Sequence, residues 1–174
     1  MKKYEFTGES KEYNGRIIHR IRRLKDNLIG GWIERESNLS HEGDCFVYDE
    51  AKVLDTVEIT ENATLHNEAE AFGRCKVSGN AEISDKAKAI YKCHVKGGAR
   101  LTEGSHVMGV AVVEGDVLMT GTALVRDRAH VFGSAKLTIN CQVEGSAKVS
   151  GNVILAHRAV VRDNAVVTDD VWIA

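Results

Sequence analysis

Six cationic or imidazole side chains recur on a fixed spacing in this sequence. Arg74, Lys92 and Arg128 are separated by 18 and 36 residues, and Lys76, His94 and His130 repeat that spacing two positions later. Brought onto one surface, such side chains concentrate positive potential and hold an anionic ligand. The imidazoles suggest two further chemistries. Any of His94, His106 and His130 could act as a general base, and converging histidines could bind zinc. The four cysteines, Cys45, Cys75, Cys93 and Cys141, have the residue type of a metal or redox set. No phosphate-binding glycine loop, nucleophile elbow or paired-carboxylate motif accompanies them.

These residues are positioned by a repeat. Stepping in sixes from Cys45 to Val171, all 22 positions hold a small residue, and the position two further on, from Val47 to Ile173, is apolar every time. A helix does not keep a period of six; a short strand pointing inward, outward and inward, followed by a corner, does. Four residues after each small position stands, most often, Gly, Asp or Asn, types that tolerate positive φ, so the corner belongs there. Three faces make a coil of eighteen residues, and the repeat spans about seven coils stacked roughly 4.8 Å apart. The expected fold is all-β: a single-stranded parallel β-helix over residues 43–174, with residues 1–42 as a hairpin cap and first irregular coil.

The register also explains the cysteines. All four occupy the small inward column, where Ala stands at 13 equivalent places, so they are expected to be core residues with free thiols and not a metal set. Cys75 and Cys93 lie one coil apart, but parallel stacking is expected to keep their β-carbons too distant for a bridge. Free thiols suggest a reducing, cytoplasmic setting. His94 and His130 lie two coils apart, roughly 10 Å by strand spacing, too far to share a metal.

Stretches such as AEAFGRCKVSGNAEISDKA and AHVFGSAKLTINCQVEGSAKVSGN resemble the hexapeptide-repeat superfamily, over about three quarters of the chain. The resemblance implies a left-handed coil. Glycine falls one position later here than in the superfamily's acyltransferases, as in Val77-Ser78-Gly79, a variant similar to hexapeptide-repeat transferase-like proteins of bacteria and prophages. It implies either a binding or sequestering protein in a phage accessory or counter-defence role, or a coenzyme A-dependent acyltransferase. In the latter, His94, His130 or His106 would be the base, between subunits of a homo-oligomer, a trimer before a dimer. The register runs unbroken to the last residue, with no loop to form a lid, which favours binding without catalysis and without a cofactor.

The remaining features concern partners. Asn14-Gly15 signals a type I′ hairpin, placing a cap over the open coil edge. Outward residues Leu54, Phe72, Ile90 and Met108 form an apolar column, which either the N-terminal segment or a second subunit must cover; with Trp172 they are the expected interface. A formal net charge of −2 gives no reason to expect nucleic acid, and no apolar run reaches membrane-span length. The expected ligand-binding set is Arg74, Lys76, Lys92, His94, Arg128 and His130, for an anionic small molecule or an acidic host protein, with affinity rising from about pH 8 toward 6.

Overall fold

The structure, a computed structural model, describes residues 2–174. Apart from a single 3-10 turn at Glu36–Asn38, the regular structure among the described residues is β. Coil strands of two to four residues, such as Lys52–Val53, Glu58–Ile59 and Thr64–Leu65, stack into three sheets of parallel ladders. Residue i pairs with residue i+18 without a slip: Glu58 with Lys76, Lys76 with His94, His94 with Val112. The sheet of Glu58, Lys76 and His94 has seven strands and is the basic face; the sheet beginning at Phe46–Val47 has eight. The third, the cap face, has ten because the N-terminal strands extend it.

The 22 hexads make a little over seven coils, and a further partial coil ahead of them brings the solenoid to about eight turns. The partial coil lies in residues 29–42, where Ile33 pairs in parallel with Val53 and Leu39 bridges to Ile59. Inside, the small and aliphatic columns from Cys45 to Leu155 are fully buried. Ala suits the small column because a narrow interior has no room for branching beside the next coil.

The corners are more uniform in conformation than in sequence. Every sixth residue from Gly43 to Asp169 has a φ between +51° and +91°. A Cβ on Gly79 would stand 2.7 Å from the amide nitrogen of Gly97, so the bare corner also permits close stacking. Acidic corners do something glycine cannot. The corner N–H points out of the ladder, and a carboxylate on the coil before it accepts its hydrogen bond. The Gly73 amide donates to Asp55 at 2.9 Å, Gly121 to Glu103 at 2.7 Å and Gly145 to Asp127 at 3.1 Å.

The cap is β1 (Tyr4–Tyr13) and β2 (Arg16–Arg23), antiparallel through a turn at Asn14 and Gly15 whose φ values are both positive, followed by β3 (Ile29–Ile33). Ile18 and Ile21 are an odd number of residues apart and face opposite sides. Ile21 and Tyr4 join the solenoid core and close its end. Ile18 packs with Trp32 and Leu54 outside the cap face. Glu50 fastens this arrangement: its carboxylate accepts hydrogen bonds from Arg20, from Lys11 and from the Trp32 indole at 2.9 Å, while Lys11 also sits 3.8 Å above the Trp32 ring.

Two outcomes test this architecture. Ala129→Leu overpacks a fully buried column and is expected to cost about 1–3 kcal/mol, several degrees in thermal melting, whereas Ser105→Ala leaves the melt within a degree or so. Burial alone would raise the Glu50 carboxyl, but the bonds from Arg20, Lys11 and Trp32 outweigh it and hold the group down to about 2, against an ordinary 4.5. A depressed folded value means its contribution is complete above pH 4.5 and is lost as pH falls toward 2. Glu50→Gln should therefore melt a few degrees lower at pH 7 and lose less stability than the parent over that acid range, measured by circular dichroism.

Candidate functional site

The spacing that selected the six basic residues holds, but the six do not act alike. Lys76 pairs with Glu58 at 3.2 Å, and His130 meets Glu114 at 2.7 Å, where Lys96 also binds at 2.6 Å. The Lys76 charge is thus compensated by Glu58, and Glu114 is shared between Lys96 and His130. Lys96 is the foremost cause of the low pKa of Glu114, with His130 behind it. His94 is exposed between Lys76 and Val112. Arg74, Lys92 and Arg128 are different: all three are exposed, and none has an acidic partner among the described residues.

These three line a cleft of about 600 Å³ along the corner between the cap face and the basic face. They belong to the column that follows the corner, Arg74, Lys92, Val110 and Arg128, beside the corner column Gly73, Tyr91, Gly109 and Asp127. Lys92 lies one coil below Arg74 and Arg128 two further, roughly 4.8 Å per coil. Strands Glu70–Gly73, Lys88–Tyr91 and His106–Gly109 run on to the corner, unlike the two-residue strands of the other coils, and form one side of the cleft. The only acid in the lining, Asp127, is committed to the Gly145 amide on the next coil. The cleft therefore offers cations, a phenol ring and the apolar Val110.

Tyr91 and Val110 are residues that reading by faces overlooked, because Tyr91 ends its strand at the corner and Val110 follows the corner directly. The available signal was a tyrosine in a column that elsewhere favours Gly and Asp.

The expected interface residues divide. Leu54 is 4% exposed, covered by Ile18 and Trp32 of the cap, with Tyr13 and Phe72 packed at its edge. The hairpin folds against the cap face, so Leu54 is not available to a second subunit. Ile90 is 8% exposed, Met108 is half-buried and Trp172 is 73% exposed. Four arginines of the cap are paired with acids: Arg16 binds Glu34 and Asp55, Arg20 binds Glu50, Arg22 binds Glu5 and Arg23 binds Asp26.

His106 sits apart from the other histidines, on the cap face below Lys88. Burial first, and then the Lys88 ammonium, push its imidazole below the ordinary range. Above it Glu70 accepts from the Tyr13 hydroxyl at 2.5 Å and binds Lys88 at 3.1 Å. Among the described residues, no three His, Cys, Asp or Glu side chains gather as a metal site, and no helix is long and apolar enough to cross a membrane. No family model matches this chain, and no curated protein matches it in sequence.

All four cysteines are buried free thiols. Cys75 and Cys93 are unbridged, as expected, with their thiols facing each other across adjacent coils. The Cys75 thiol, then burial, pushes the Cys93 thiol up, and burial raises Cys141 to about 11. A buried thiol held protonated is a poor nucleophile. Native protein at pH 8 should accordingly show almost no reaction with a thiol-specific disulfide reagent over minutes, and the full complement on adding denaturant. Rapid titration of the native thiols would place them outside the core.

Proposed function

We propose that this protein holds a small anionic ligand, without transforming it, in the cleft lined by Arg74, Lys92 and Arg128. The observation that carries the reading is the state of these three cations: exposed, without acidic partners, and aligned along one cleft of a chain whose formal net charge is −2. Lys76, His94 and His130 lie outside the lining and contribute to the surrounding potential only. Two of the three are engaged with acids, Lys76 with Glu58 and His130 with Glu114. A sequestering role in a phage or prophage setting, in a reducing compartment suited to free thiols, is part of this proposal. It does not depend on self-association through Met108 and Trp172.

A second reading, a coenzyme A-dependent acyltransferase, is favoured by the setting of His106: burial and then Lys88 push its imidazole toward the neutral form that a general base needs. Against it, the lining of the cleft contains no histidine. For the same reason the rise in affinity from about pH 8 to 6 is not expected of this narrower site.

Small molecules released by heating the purified protein, identified by mass spectrometry, test both readings. An anionic compound should leave with the parent and be absent from a variant with Arg74, Lys92 and Arg128 all changed to Ala. That variant should melt within a degree or two of the parent, since exposed charges contribute little to stability. Binding should weaken as salt rises, because separated charges are screened over about 8–10 Å at physiological ionic strength. Retention of the same anion by the triple variant would overturn the site. Turnover of acetyl-coenzyme A that disappears in His106→Ala would overturn the non-catalytic reading.

A further inference from the structure

We infer that the ligand of this cleft carries a flat aromatic ring beside its anionic groups, and that Tyr91 stacks on that ring; this rests on the binding reading above.

Three observations converge on Tyr91. It occupies a corner at φ +74°, a conformation that penalises a residue with a large side chain. Its side chain gains nothing visible in return: the residue is 62% exposed, with no aromatic neighbour or hydrogen bond to its hydroxyl among the described residues. A strained, uncovered aromatic at such a position is more readily explained by a task than by packing. The third observation is the space around it. The corners directly above and below are Gly73 and Gly109, where an added Cβ would fall 2.5 Å from the Tyr91 carbonyl and 2.8 Å from the Asp127 backbone. With glycine at both of these corners, no side chain stands on the corner directly above or below the ring.

The cleft thus presents an open phenol face, with Val110 adding apolar surface and Arg74, Lys92 and Arg128 supplying charge. Aromatic stacking tolerates any flat ring, whereas guanidinium forks favour planar or tetrahedral oxyanions. A volume of about 600 Å³ accommodates a small molecule having both parts. An anion lacking a ring would leave Tyr91 unused, and a neutral ring would leave three cations unused.

Isothermal titration with three probes separates these contributions: ribose 5-phosphate, adenosine 5′-monophosphate and adenosine. Adenosine 5′-monophosphate should bind about tenfold or more tightly than ribose 5-phosphate, the size of one stacking contact, and adenosine more weakly than adenosine 5′-monophosphate. Tyr91→Gly should erase the advantage of the nucleotide and leave ribose 5-phosphate binding unchanged, while Tyr91→Trp preserves the advantage. Because glycine suits the corner, Tyr91→Gly should melt at or above the parent temperature. Equal binding of the two phosphates, or an advantage that survives Tyr91→Gly, would overturn the stacking role and leave the anion site standing. A melt several degrees lower in Tyr91→Gly would make the ring structural and also overturn it. Failure of both phosphates to bind would remove the anion reading itself, and this inference with it.

Discussion

The structure depends on one interaction, the hydrogen bond from a backbone amide to a carbonyl seventeen residues on. Lys76 donates to Cys93 at 3.0 Å, Ser78 to Val95 at 3.0 Å and Asn80 to Gly97 at 2.7 Å, so three amides per hexad tie each coil to the next. The bond leaves no freedom of register, since a slip by one residue would turn every inward side chain outward. Columns are its direct consequence. Alanines stack on cysteines inside, carboxylates stack above amides at the corners, and Arg74 and Lys92 share one line along the cleft.

The corners carry two competing demands. Close stacking favours glycine, whereas the unladdered N–H favours an acid on the coil above. The sequence alternates between these solutions: Asp55 above Gly73, Glu61 above Gly79, Asp127 above Gly145. Tyr91, Ile139 and His157 meet neither demand and still adopt the left-handed conformation. Ile139, β-branched at φ +60°, shows that neighbouring coils can impose the bend on a residue that disfavours it. Strain alone therefore does not mark a site. Tyr91 differs from Ile139 in lying beside three uncompensated cations aligned along one cleft, where Ile139 has Arg158 alone.

Face, column and corner could be read from the sequence because a period of six maps each residue to one place. The cap hairpin was legible in Asn14-Gly15, but its direction was not: periodicity says nothing about a segment outside the repeat. The covering of Leu54 by Ile18 and Trp32 thus emerged only in three dimensions. Charge compensation was half legible. Glu58 and Glu114 fall on the basic face by register, yet only side-chain geometry assigns them to Lys76, Lys96 and His130 and leaves Arg74, Lys92 and Arg128 free. Tyr91 was missed because a corner was treated as a bend and not as a place from which a side chain projects.

A coil of eighteen residues is also a unit that can be added or removed whole. Gain or loss of a whole coil preserves every interior neighbour, so the core registers such an event only as a change in height, while the cleft gains or loses one rung. Repeat molecules of this kind are sums of units and of the joints between them. Here that separates two problems which compact domains must solve with overlapping residues. The inward positions of a rung secure the stack, and the outward positions can be rewritten one rung at a time, so recognition has freedom to diverge while the scaffold stays the same.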